Sequence, residues 1–174
     1  FCELASVFNA SSNFASAVKA AESATRLNPG SAKAYNSLGV AEFSLGNLEN
    51  ARRSFFTAHK INQDDHQISA NLSSVYYAQG FHVKAIKILE DIVKKDPENK
   101  FVILTLGIYF SEIGEKKKSL YHFKKLLELD EDNIDGYYGL ASSGTICLSE
   151  KQIERMIKLA ENSLILPKER MKLN

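Results

Sequence analysis

Residues 32–65 read AKAYNSLGVAEFSLGNLENARRSFFTAHKINQDD, and the pattern of that stretch returns along the chain at a fixed interval. A step of 34 residues from Leu38 reaches Leu72, Leu106 and Leu140 in one direction and Leu4 in the other. The residue after each leucine is small: Ala5, Gly39, Ser73, Gly107 and Ala141. A second ladder with the same step joins Ala17, Ala51, Ala85 and Ser119, and a third joins Gly46, Gly80 and Gly114. Three ladders of one period make an internal repeat the first property of this chain.

Each ladder has a physical reading. Glycine accepts the left-handed conformation that ends a helix, so the three glycines mark turns between antiparallel helices. Before Gly80, Leu72, Val75 and Tyr76 fall on one face at helical spacing. After it, Ala85, Ile86, Leu89, Ile92 and Val93 form a second apolar stripe. The small residues belong where two helices cross, because a bulky side chain there would push the axes beyond the usual separation of about 8–10 Å. One helical hairpin cannot bury both of its faces, so consecutive hairpins stack into a solenoid with a concave and a convex surface. The chain is therefore expected to be all-α, a solenoid of antiparallel helix pairs.

Helix starts carry their own signals. In Asp96-Pro97-Glu98-Asn99, Asp96 offers a cap, Pro97 a residue whose missing N–H costs little in the first turn, and Glu98 a favourable negative charge. Asn28-Pro29-Gly30-Ser31, Gln63-Asp64-Asp65 and Glu131-Asp132-Asn133 fill the equivalent positions.

Composition supports this architecture and narrows the partner class. Hydrophobic residues make up 44% and charged residues 25% of the 174, the balance of a globular protein rather than a disordered one. The formal charge is +1, and no third of the chain departs far from neutrality. A nucleic-acid partner would call for a cationic stripe. The one basic cluster, Lys116-Lys117-Lys118 with Lys124 and Lys125, reads instead as a solvated helix face near Glu112, Glu115 and Glu128. No apolar run approaches the roughly 18 residues of a membrane span. Cys2 and Cys147 lie far apart, which points to no disulfide framework and favours a reducing, cytoplasmic setting. The chain opens on Phe1, so it is expected to be a piece of something longer.

The residues resemble the tetratricopeptide repeat (TPR) family. Residues 32–65 supply Tyr35, Leu38, Gly39, Gly46, Ala51, Phe55 and Ala58, with Glu42 where an aromatic is usual. Residues 66–99 supply Leu72, Tyr76, Gly80, Ala85, Leu89 and Pro97, and residues 100–133 supply Leu106, Gly107, Phe110, Gly114, Ser119, Phe123 and Leu126. The resemblance implies a right-handed superhelical array: a partial repeat over 1–31, three full repeats, a degenerate repeat over 134–167 and the start of a further helix at 168–174. In the degenerate repeat Leu148 replaces the turn glycine and Ile153 the small residue, which suggests an altered angle or a shifted frame for its second helix. Pentatricopeptide RNA binders share the period but lack these ladders.

A narrower resemblance concerns Leu148-Ser149-Glu150-Lys151-Gln152-Ile153 and Leu166-Pro167-Lys168-Glu169-Arg170. It is similar to the segment that joins TPRs to a sulfotransferase domain in bacterial proteins. It implies that this chain is the non-catalytic arm of a larger transferase whose catalytic domain lies beyond Asn174.

Motifs of catalysis are not found: no H-E-x-x-H, G-x-S-x-G, Walker loop or G-x-G-x-x-G occurs. No cofactor or metal is expected, since His59, His66, His82 and His122 share no ligand spacing. His122 reads as a helix-surface histidine. Asn9 and Asn71 begin glycosylation sequons but fall within expected helices.

At 100° per residue, positions 4, 7, 8 and 11 of a repeat face the core, and positions 2, 5, 9 and 12 lie roughly opposite. That second stripe lines the concave groove in the TPR family. It holds Lys33, Asn36, Val40 and Phe43; then Gln67, Ala70, Ser74 and Tyr77; then Phe101, Leu104, Ile108 and Ser111; then Asp135, Tyr138, Ser142 and Thr145. Its apolar and aromatic character suits a protein or peptide partner, held as an extended segment or an amphipathic helix. Asn71, one position further on, is a candidate donor to a bound backbone. The lysine, asparagine and arginine clamp of TPR co-chaperones is not matched. A purely structural segment is the remaining reading, with end-to-end self-association through Val7, Phe8, Ile157 and Ile165.

Overall fold

The computed structural model describes residues 1–142 and 149–159. Nine helices are bounded within them: α1 (Cys2–Ala10), α2 (Phe14–Leu27), α3 (Ala32–Ser44), α4 (Leu48–Ile61), α5 (His66–Ala78), α6 (His82–Lys95), α7 (Lys100–Glu112), α8 (Lys116–Leu129) and α9 (Ile134–Ser142). Residues 150–159 are helical as well, and no strand occurs among the described residues. Thr145, Cys147, Leu148, Ile165, the 166–170 match and the helix start at 168–174 lie outside the described residues.

Packing divides the chain into two compact units, Phe1–Lys95 and Asp96–Asn174. The first holds the hairpins α1–α2, α3–α4 and α5–α6. The second holds α7–α8, α9 and the helical residues 150–159.

The turn glycines behave as their chemistry requires. Gly46, Gly80 and Gly114 have φ of 79°, 83° and 82°. Thirty-four residues before Gly46, Ser12 takes the same left-handed conformation at φ 58°, a position that costs a residue with a side chain more than it costs glycine.

The small-residue ladder is buried throughout its regular part: Ala17, Ala51, Ala85 and Ser119 are all core. A second small position meets the aromatic partner from the facing helix. A Cβ added to Gly39 would come 2.6 Å from the Phe55 ring, and one added to Gly107 would come 2.7 Å from Phe123. In the intervening repeat the two positions hold Ser73 and Leu89, both fully buried. Serine at the crossing goes with the narrower partner, glycine with the wider one. The Ser73 hydroxyl donates to the Ala85 carbonyl at 3.0 Å, so its burial leaves the hydroxyl satisfied.

Helix starts follow the repeat more strictly than the sequence signals suggest. The capping side chains are Ser31, Asp65, Asn99 and Asn133, each 34 residues from the next. They accept from the N–H groups of Ala34 (3.2 Å), Ile68 (3.1 Å), Val102 (3.2 Å) and Gly136 (3.0 Å). Asp96 is therefore not the cap of α7. Its carboxylate accepts from the Asn99 side chain at 2.9 Å, orienting the residue that does cap, and Pro97 sits in the turn before the helix. Asn99 wins because it immediately precedes the first helical residue, within reach of the unsatisfied amides.

The second helix of the degenerate repeat keeps its frame. Its first residue, Glu150, stands 34 residues after Lys116, as Lys116 does after His82. Ser149 and Gln152 form a reciprocal capping box: the Gln152 N–H donates to Ser149 Oγ at 3.3 Å and the Ser149 N–H donates to Gln152 Oε1 at 3.0 Å. What changes is burial, for Ile153 replaces the small residue of the ladder and is 41% exposed. Arg155 anchors this helix to the turn before α9, with Glu131 at 2.7 Å and Asp132 at 2.8 Å.

Candidate functional site

The stripe opposite the core runs along the first helix of each hairpin, and the two compact units present different versions of it. In the N-terminal unit it lies on α3 and α5. Asn71 Nδ2 donates to Asn36 Oδ1 at 2.9 Å, and Gln67 Nε2 donates to Asn71 Oδ1 at 3.2 Å. This amide relay bridges the two helices and occupies the groups that would otherwise meet a ligand backbone. Val40 and Phe43 are half-buried. Ser74 donates to the Ala70 carbonyl of its own helix at 3.1 Å. The Tyr77 ring sits 4.5 Å from the His82 ring, centroid to centroid. Ala70 is buried.

In the C-terminal unit the stripe lies on α7 and α9 and is open. Leu104, Ile108, Tyr138 and Ser142 come together around a cleft of about 570 Å³, completed by Ser111, Glu112, Phe123, Asp135 and Gly139. Ile108 is 41% exposed and Tyr138 53%. Phe101, one turn before Leu104 on α7, is 55% exposed but does not line the cleft. The Phe123 ring is buried and forms the cleft floor. The glycines at 107 and 139 leave room for it, since a Cβ on either would overlap the ring. Sequence reasoning found six of these nine lining residues, Leu104, Ile108, Ser111, Asp135, Tyr138 and Ser142, as a stripe. It did not place Phe123, a second-helix residue, beneath them; the paired glycines facing its ring were the available signal.

His122 departs from the expectation of a surface histidine. Its ring stacks on Phe110 at 5.5 Å with planes 11° apart, and its Nδ1 is buried without a hydrogen-bond partner. Lys118 lies over the same Phe110 ring at 5.2 Å. Burial lowers the imidazole from 6.5 to about 4, and the nearby Lys125 charge acts in the same direction. Below pH 6.5 the unfolded chain takes up a proton that the folded chain refuses, so stability falls as pH drops through the window between 6.5 and about 4. A His122→Gln variant should lose less of its urea midpoint between pH 7 and pH 4.5 than the parent. Equal losses would show that His122 does not contribute.

No group of three or more His, Cys, Asp or Glu among the described residues could hold a metal ion. Among them no helix is long and apolar enough to cross a membrane.

The fold is similar to that of tetratricopeptide-type helical solenoids. A family model described as tetratricopeptide repeat matches residues 2–66. Among solved structures, a MamA segment from Desulfovibrio magneticus RS-1 is similar with a TM-score of 0.72 at 16% identity, over 97% of this chain and 93% of that one. YrrB, described as a TPR protein with an unusual peptide-binding site, is similar with a TM-score of 0.67 at 15% identity, over 96% and 88%. Curated relatives include the BBSome complex member BBS4 of Bos taurus, 25% identical over 75% of this chain and 24% of its own length. Anaphase-promoting complex subunit 3 of Schizosaccharomyces pombe is 22% identical over 97% of this chain and 25% of its own length. The chain thus spans about a quarter of the length of these two relatives.

Proposed function

We propose that this chain is a protein-interaction scaffold that holds a peptide or helical segment against the stripe formed by the first helices of its hairpins. The observation that carries this reading is the cleft of the C-terminal unit, where Leu104, Ile108 and Tyr138 surround a concave apolar surface of about 570 Å³. Partly exposed aromatic and aliphatic side chains held on rigid helices are the usual anchors of an interface, because little side-chain entropy remains to be lost when a partner docks. Two further facts support it: a solved neighbour carries a peptide-binding site by its description, and curated relatives are named as members of multi-protein complexes. On the N-terminal unit the same stripe, with Asn36, Val40, Phe43, Asn71, Ser74 and Tyr77, offers a second contact surface in which Asn36 and Asn71 are already joined to each other. Phe101 extends the face along α7.

The transferase-arm reading has less behind it. Ser149 and Gln152, part of the segment that suggested it, have a local role as a capping box.

The test is selection of binders from a displayed library of random dodecapeptides. Peptides enriched on the parent should bind Leu104→Glu or Ile108→Glu at least ~10-fold more weakly, the scale of a lost interface anchor. Circular dichroism should show both variants folded. Undiminished binding to both would remove the cleft from the interface.

A further inference from the structure

One repeat position is occupied differently in the two compact units. On α5 it is Asn71, whose side chain donates to Asn36 on α3 at 2.9 Å. Sixty-eight residues later, two repeats on, it is Gly139 on α9. With no side chain there, Gly139 lines a cleft between α7 and α9 that is floored by the Phe123 ring.

Among the described residues, the charges lining that cleft are of one sign. Glu112 and Asp135 are the only ionisable lining residues among them apart from the Tyr138 phenol, and both are exposed. Neither forms an ion pair among the described residues. Asp135 lies in the first turn of α9, where the helix dipole favours an anion. Glu112 is the last residue of α7, where the dipole opposes one. An apolar floor with two carboxylates at its edge, unpaired among the described residues, is complementary to an apolar side chain with a cationic neighbour.

We infer that the cleft of the C-terminal unit accepts a segment presenting a large apolar side chain beside a lysine or arginine. The apolar group enters over Phe123 between Ile108 and Tyr138, and the cation meets Glu112 and Asp135. This rests on the scaffold reading above and adds to it the chemistry of the partner. Gly139 makes room for the Phe123 ring beneath the cleft, and the two carboxylates set the sign of the charge. Because the ion pairs are exposed, they select the partner more than they hold it, and their contribution shrinks as salt rises.

The displayed dodecapeptide library distinguishes the two levels. Peptides enriched on the parent should carry an apolar residue adjacent to lysine or arginine. Selection on the Glu112→Lys/Asp135→Lys double variant should retain the apolar residue and exchange the base for aspartate or glutamate. For an individual synthetic peptide from the parent selection, the double variant should weaken binding about fivefold to tenfold. Replacing the peptide's base with glutamate should recover most of that loss. Enriched peptides without a charge preference, still weakened by Ile108→Glu, would overturn this inference and leave the scaffold reading standing. Peptides indifferent to Ile108→Glu and Leu104→Glu, or no enrichment at all, would overturn both.

Discussion

An alanine at Gly139 should lower the stability of the chain by about 1–3 kcal/mol, the cost of overpacking a filled core. Helix propensity acts the other way and favours alanine over glycine by about 1 kcal/mol. The clash wins because the new Cβ would lie on the Phe123 ring itself, with the closest approaches to ring carbons rather than to a movable chain end. Nor can the ring retreat, since Gly107 already abuts it, leaving 2.7 Å for a Cβ of its own. Relief should come from shrinking the ring. Phe123→Leu in the same chain should recover a substantial part of the loss, giving a favourable coupling in a double-mutant cycle read by urea denaturation. Repeat 66–99 already carries that solution, with Ser73 and Leu89 where repeat 100–133 has Gly107 and Phe123. Strict additivity of the two changes would show that the ring and the glycine do not share space.

Leu106→Ala should cost about 2–5 kcal/mol, and the same change at Leu4 much less, although both leucines hold the same place in the repeat. Leu106 is fully buried, so its truncation loses transfer free energy and leaves a cavity that close-packed neighbours fill only in part. Leu4 is 45% exposed in α1, so less apolar surface returns to water when it is cut back. Thermal or urea melts of the two variants check the ranking. Comparable losses would mean that Leu4 is covered in solution by something the isolated helix lacks, as a self-associating end would provide.

How much of the candidate site could be read beforehand follows from the same geometry. Helical spacing identifies which residues of one helix share a face, so Leu104, Ile108, Ser111, Asp135, Tyr138 and Ser142 were legible as a stripe. Spacing on one helix says nothing of what rises beneath it from the next, and Phe123 was missed as the floor. Ala70 holds the same position as Leu104 yet is buried, because the methyl group is too short to clear its neighbours. Asn71 looked available as a donor, and the structure spends that donor on Asn36. His122, beside Phe123 in the sequence, read as a helix-surface residue, whereas its ring lies against Phe110.

Periodicity by itself determined the helical hairpins, their length and their turns. A turn that needs a left-handed residue and a crossing that needs a small one are local demands, met by local choices such as Gly80 and Ala85. The cap ladder of Ser31, Asp65, Asn99 and Asn133 was also present in the repeat, one residue before each helix. Only the tertiary structure decided where a groove is open. That depends on whether a side chain on one helix reaches the next, and Asn71 does reach Asn36 while Gly139 has nothing to extend. The binding chemistry proposed for this chain joins that difference to the Glu112 and Asp135 carboxylates, which α7 and α9 bring to one cleft only when packed side by side.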